Sequence, residues 1–266
     1  MPELKEPADY PLPDRRARFK LDDFAEVIAS VPENCPLIGG QAVAWWAARY
    51  GLGEGKGAVI TSADIDFWGD RRDLIALARA LERRAVFPHE YEMTVWVGAI
   101  PLTIHGKKTL VEFLHTVPGL DTNDPVKAAV KQQYRAKSLK RTIPVLSPVS
   151  LVMAKLHALR HFKQDAREDE FHLKISLQSS RGFLMELLEQ REIRHLLWNC
   201  ERLIAASQMK PYRGLEKHYH FEIKSAIPIK EIRSEAHGSR HRNEDRKRLE
   251  NFAGKRWEQL GRGREK

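Results

Sequence analysis

The chain has 266 residues, 42% hydrophobic and 30% charged, enough for one large or two small domains with real cores. Its formal charge of +9 and isoelectric point near 9.5 favour polyanionic partners such as nucleic acids or nucleoside triphosphates (NTPs). Cys35 and Cys200 lie far apart and outside any CxxC pattern, which argues against a disulfide scaffold or a cysteine zinc site. No apolar run approaches the ~18 residues of a membrane span, and the polar, Pro-rich start is unlike a signal peptide, so a soluble cytoplasmic protein is expected.

Residues 1–20, with the basic run Arg15-Arg16-Ala17-Arg18, read as a flexible arm. Residues 21–31 predict a short helix, with Phe24, Val27 and Ile28 on one face. Cys35-Pro36-Leu37-Ile38 then reads as a buried strand running into Gly39-Gly40. The helix expected over 41–50 is apolar nearly all round and belongs against a sheet, with Trp45 and Trp46 as core residues before base-stacking ones. The Gly-rich stretch 51–57 lacks GxxxxGK[ST] spacing and reads as a flexible connection.

Strand character returns at 59–60 and 65–68, followed by an amphipathic helix over 71–86 that turns Leu74, Leu77, Ala78 and Leu81 inward. Residues 93–104 and 110–114 predict a hairpin through His105-Gly106-Lys107-Lys108. Residues 121–140 read as polar, with a basic helical piece (Lys127, Lys131, Arg135, Lys137, Lys140). That piece either tracks a nucleic-acid backbone or stands as a solvated face. After a short strand at 143–146, Ser147-Pro148 opens a helix with Pro in its first turn. Residues 183–207 read as helical core, 211–228 as irregular and aromatic, and 230–266 as a solvated helix plus disordered basic tail.

The chemistry-bearing residues begin at Asp64 and Asp66. Two residues apart on a strand, they project to one side, and parallel carboxylates repel unless a cation sits between them. Upstream, Gly39-Gly40 lets backbone N–H groups approach a ligand, and the following helix aims its positive end at the same place. Glu112 stands opposite in parity to Val111 and Phe113, as an acid presented from a core strand would; a solvated edge-strand Glu is the alternative. Lys155 sits among Met153, Ala154 and Leu156, where a phosphate partner or an exposed flank would explain it. His157 and His161 share a helix face and His172 follows, but no fourth zinc ligand is evident, so solvated or phosphate-facing histidines are the better reading.

Leu37-Ile38-Gly39-Gly40-Gln41-Ala42, a helix, then Ala63-Asp64-Ile65-Asp66-Phe67 resembles the signature of the DNA-polymerase-β-like nucleotidyltransferase superfamily. Within it the chain looks most like the AbiEii/MenT-type nucleotidyltransferases, many of which are toxins of toxin–antitoxin pairs. Glu112 falls where the superfamily carries its third metal-associated carboxylate, usually Asp. The Ser147-Pro148 helix resembles a second hallmark, in which a Lys, here Lys155, contacts the triphosphate. Asp169 matches a further Asp, whereas His172 replaces the next one. Ile60 and Ser62 stand where relatives often have Arg and Thr.

The resemblance implies an α+β fold: a mixed, mainly antiparallel sheet with flanking helices, then a mainly helical second domain. The expected divisions are an arm over 1–20, a nucleotidyltransferase domain over 21–146, a helical domain over 147–229 and a basic tail over 230–266. It further implies Mg²⁺ on Asp64, Asp66 and Glu112, and an NTP held by Gly39, Gly40, Ser62, Lys155 and Asp169. The acceptor would be an RNA 3′-end such as tRNA, or a protein hydroxyl, and a cognate antitoxin the expected protein partner. Three alternatives stay open: a non-catalytic nucleic-acid-binding relative, an interaction protein on the same scaffold, and a transferase acting on a small molecule such as an antibiotic.

Overall fold

The computed structural model describes residues 18–52, 61–89, 94–120, 124, 128–136, 139–162, 168–237 and 243–257. Six strands form one sheet in the order β3-β4-β2-β1-β6-β5. They are β1 (Leu37–Ile38), β2 (Ile65–Trp68), β3 (Trp96–Ile104), β4 (Lys107–Leu114), β5 (Ala129–Ala136) and β6 (Leu139–Leu146). The sheet is mixed: β1–β2, β3–β4 and β5–β6 pair antiparallel, while β1–β6 and β2–β4 pair parallel. The β3–β4 hairpin turns on His105 and Gly106, at φ 51° and 74°, and tight two-residue hairpin turns favour such positive φ values.

Residues paired in register share a face of the sheet. The pairings Leu37↔Phe67, Leu37↔Val145, Ile65↔Val111 and Phe67↔Phe113 put six fully buried apolar side chains on one face. Helices α2 (Gly39–Arg49) and α3 (Arg71–Ala80) cover it: the Trp45 ring lies 5.8 Å from that of Tyr134, and Leu74 reaches the backbone at Gly98. A capping box at Asp70 starts α3. The helix ends at Ala80, short of the expected 86, because Glu82 turns at φ 53° and Val86 bridges to Ala99 of β3. The helix expected from residue 21 is a 3₁₀ turn (Leu21–Phe24) followed by α1 (Ala25–Ser30). Arg141 on β6 donates to the carbonyls of Ile28, Ala29 and Val31, closing the C-terminal end of α1.

Residues 129–136 form a strand, correcting the basic helix expected there. Lys131, Gln133 and Arg135 recur at period 2, and Lys131 and Arg135, four apart, also fit helical spacing. Pairing of all eight residues with β6 settles the choice. β6 is accordingly longer than the expected 143–146, and β5, at the edge of the sheet, exposes Lys131 and Arg135 as edge strands commonly do. The positions expected as strand at 59–60 and the Gly-rich residues 53–57 lie outside the described residues.

The rest of the chain is mostly helical. Ser147 caps α4 (Pro148–His161) with Pro148 in its first turn, as expected. It is followed by α5 (Asp169–Glu189), α6 (Ile193–Gln208), α7 (Lys210–Tyr219), α8 (Ile229–His237) and α9 (Asn243–Asn251). The stretch 183–207 is therefore parts of two helices, separated by a turn in which Arg191 takes φ 61°. The stretch expected to be irregular contains α7, which starts with Pro211 in its first turn, where its missing N–H costs nothing. Much of the expected tail is packed: Ile232, Ala236, Leu249 and Phe252 are buried, and residues 258–266 lie outside the described residues.

One hydrophobic core runs from Phe19 to Ala253 across the division drawn at 146/147. Trp46 shows how: its indole N–H donates to the Leu146 carbonyl at 2.8 Å and its ring lies 5.8 Å from that of Phe183 on α5. Among the described residues no helix is long and apolar enough to cross a membrane. Trp46→Ala should empty the junction between sheet and helices and destabilise the protein by about 3–5 kcal/mol, read as a lowered urea midpoint.

Candidate metal and nucleotide site

Asp66 lies on β2 and Glu112 beside it on β4, because the parallel pairing sets the two in register; Asp64 stands at the entry to β2. One carboxylate oxygen from each residue lies within 4.8 Å of the others, and all three side chains are half-buried. Asp64 and Glu112 are braced by neighbours. Ser62 Oγ donates to Asp64 Oδ1 at 2.9 Å, and Trp96 Nε1 donates to Glu112 Oε1 at 3.1 Å. Thr109 Oγ1 donates to the Ala63 carbonyl at 2.7 Å, tying β4 to the loop that carries Asp64. Among the described residues this is the one group of three or more His, Cys, Asp or Glu placed to hold an ion. Three hard oxygen donors suit Mg²⁺ or Mn²⁺, not a soft-ligand metal.

The glycine pair lies directly against these acids. Antiparallel pairing of Ile38 with Asp66 sets Gly39 over the Asp66 carboxylate. A Cβ on Gly39 would lie 1.9 Å from Asp66 Oδ2, and the residue sits at φ +66°. A Cβ on Gly40 would lie 2.6 Å from Ser62 Oγ and 3.3 Å from His172 Cε1. Gly39 and Gly40 also open α2, whose first N–H groups have no partner within the helix and attract anions. The expected set Gly39, Gly40, Ser62, Asp64, Asp66 and Glu112 is thus one contiguous site.

Lys155 and Asp169 were expected as separate nucleotide contacts. They hold each other: Lys155 Nζ lies 2.8 Å from Asp169 Oδ1, with the two side chains 11% and 2% exposed. Asp169 begins α5, and His172, one turn later, is the residue that reaches Gly40, so this pair neighbours the glycine turn from the helical side. His172 is buried under Gly40, and the three histidines form no ligand set among the described residues. The His157 and His161 rings lie 4.3 Å apart; burial, then the charges of His161 and Arg160, hold His157 below the ordinary imidazole range. Burial pushes the Cys35 and Cys200 thiols up, so neither supplies a thiolate nucleophile at neutral pH.

Three residues at the site, Arg18, Phe19 and Trp96, were given no role there by the sequence. Phe19, assigned to the arm, is buried and exchanges backbone hydrogen bonds with Ser62 at 2.9 and 3.2 Å, while Gln41 Nε2 donates to its carbonyl. Arg18 pairs with Glu168 at 2.9 Å, drawing the same segment towards the start of α5. Trp96 touches the site through strand register, which leaves no local signal, and His172, expected as solvated or phosphate-facing, is buried because α5 packs it under Gly40. Residues 1–17 of the expected arm lie outside the described residues.

The face that carries Asp66 and Glu112 continues across the sheet. Val145 shares the helix-covered face, so Pro144 belongs to the other, and with it the pairs Lys131↔Pro144, Gln133↔Thr142 and Arg135↔Lys140. Lys131, Gln133, Arg135, Lys140 and Thr142 are all exposed. β5 lies three strand spacings from β2, roughly 14 Å. A basic strip thus stands on the same face of the sheet as the acids, about that far away.

Breaking the buried ion pair should cost far more than removing it. Lys155→Met alone leaves Asp169 buried without its cation and should destabilise the protein by about 3–5 kcal/mol, whereas Lys155→Met/Asp169→Leu should recover most of that in a denaturant titration. No family model, curated protein or solved structure matches this chain.

Proposed function

We propose that the protein is a metal-dependent nucleotidyltransferase, moving a nucleoside monophosphate from an NTP to an acceptor hydroxyl. The observation that carries this reading is the gathering of Asp64, Asp66 and Glu112 within 4.8 Å, against a glycine turn with no room for a side chain. In this reading Asp64, Asp66 and Glu112 hold Mg²⁺, which supplies charge neutralisation for the triphosphate and the leaving pyrophosphate.

The chain's own residues do the rest. Backbone N–H groups at Gly39 and Gly40 receive the β- and γ-phosphates at the start of α2, approaching closely because neither residue carries a Cβ. Lys155 adds positive charge: its ammonium has three donors and Asp169 occupies one of them. Ser62 orients Asp64 through its hydroxyl. Glu112 either completes the metal-binding set or takes the proton of the attacking hydroxyl at a carboxylate oxygen. The acceptor oxygen bonds to the α-phosphorus as the bond to the β-phosphate oxygen breaks, and pyrophosphate leaves.

The basic strip of Lys131, Arg135 and Lys140 favours a nucleic-acid acceptor, an RNA 3′-end such as that of tRNA, over a small molecule or a protein hydroxyl. A toxin role, with a cognate antitoxin as partner, belongs to the same proposal and rests on the resemblance to AbiEii/MenT-type proteins.

Incubation with Mg²⁺, each α-³²P-labelled NTP and total RNA should label RNA. Asp64→Asn should reduce labelling by more than ~100-fold, since several kcal/mol of transition-state charge stabilisation is lost at 1.36 kcal/mol per decade. The same variant should keep or raise the thermal midpoint without metal, because it relieves repulsion among the three carboxylates. Labelling retained by Asp64→Asn would overturn the assignment, and labelling only of small-molecule acceptors would redirect it. Replacing Lys131, Arg135 and Lys140 together by Ala should weaken RNA binding and flatten its log–log salt dependence by about 2, at ~0.7 per single-strand phosphate contact.

A further inference from the structure

Trp96 reaches Glu112 only because β3 carries a bulge. Gly98 pairs with Phe113 and Ala99 with Glu112, so a regular continuation would set Val97 opposite Leu114 and turn Trp96 to the helix-covered face. The register instead shifts between Trp96 and Gly98: Trp96 stands opposite Leu114, on the face that carries Glu112. Gly98 makes the shift available. It sits at φ +151°, and a Cβ there would lie 2.4 Å from the Val86 carbonyl oxygen and 2.8 Å from Leu74 Cδ2. The indole N–H, re-aimed by one extra residue, meets Glu112 Oε1 at 3.1 Å.

We propose that Trp96 is a positioning residue for the third carboxylate of the proposed metal site, and this inference rests on that reading. A glutamate has one more rotatable bond than an aspartate, so a ligand at the end of it loses more freedom when it binds an ion. The indole removes part of that freedom beforehand. It is donor-only, so it favours the ionised carboxylate, and it engages one of two oxygens that together offer about four lone-pair sites, leaving capacity to ligate. Bulge, tryptophan and glutamate act as one unit, with Gly98 setting Trp96 and Trp96 setting Glu112.

The test combines a double-mutant cycle with the indole NMR spectrum. Mn²⁺ affinity is measured calorimetrically for the wild type, Trp96→Phe, Glu112→Ala and the double variant. Trp96→Phe should weaken Mn²⁺ about tenfold when Glu112 is present, in the range of second-layer ligand losses, and less than twofold when it is absent. Of the six tryptophan indole resonances, that of Trp96, assigned in the wild type by triple-resonance spectra, should move upfield in metal-free Glu112→Ala and shift when Mg²⁺ is added to the wild type. This second readout stands even if Trp96→Phe fails to fold. Equal Mn²⁺ losses in both backgrounds, or an indole resonance indifferent to both Glu112 and Mg²⁺, would overturn the proposal. A wild type that binds no Mn²⁺ would overturn the metal reading and the positioning role together. That failure is recognisable because the metal-free shift between wild type and Glu112→Ala would persist.

Discussion

The close approach of Gly39 to Asp66 is the constraint on which the rest of the site depends. Two paired positions, Leu37↔Phe67 and Ile38↔Asp66, are all that β1 contributes to β2, and they bring the start of a helix down onto a carboxylate. A side chain at residue 39 would need the space that Asp66 Oδ2 occupies, and would have to tolerate φ +66° as well. A helix N-terminus and an acid would ordinarily be arranged to neutralise each other. Here the acid already has acidic neighbours, Asp64 and Glu112, and the proposed metal–triphosphate ligand would meet both the concentrated negative charge and the adjacent N–H groups.

That arrangement is held from both sides. On the sheet side, parallel pairing of β2 with β4 supplies Glu112, and Thr109 pins the loop before Asp64. On the helical side, α5 sends His172 under Gly40 and uses Asp169 to fix Lys155, while Arg18 and Phe19 tie the start of the described chain to Glu168 and Ser62. The buried Lys155–Asp169 pair is poor evidence of added stability, since desolvating two charges offsets most of their attraction. Its fixed geometry holds the Lys155 ammonium at one place beside the start of α5. The helical region and the sheet share one core through Trp46, so the site lies over a continuous packed base and does not depend on a hinge between separately folded units.

Legibility in the sequence followed the range of the interactions. Gly39-Gly40, Asp64, Asp66 and Glu112 were readable because short motifs and strand parity are local properties. The capped start of α4 at Ser147-Pro148 was readable for the same reason. The β5 segment was not, because Lys131 and Arg135 satisfy a helical repeat and a strand repeat alike; only the partner strand decides between them. Pro211 looked like an interruption because its role depends on whether a helix starts at it or passes through it. The helix expected as solvated within 230–266 is packed instead: α8 buries Ile232 and Ala236, since a few apolar residues suffice when a core already exists to receive them.

The α+β class came with the family resemblance; by itself the sequence determined the sidedness of the acids on their strands and the glycine turn that precedes a buried helix. Both follow from backbone geometry acting over a few residues. Only the tertiary structure decided that Glu112 stands beside Asp66, that Lys155 is engaged by Asp169, and that Trp96 faces the acids and not the core. These depend on strand order, on parallel register and on one inserted residue at Gly98, where shifting the pairing by one position moves a side chain to the opposite face.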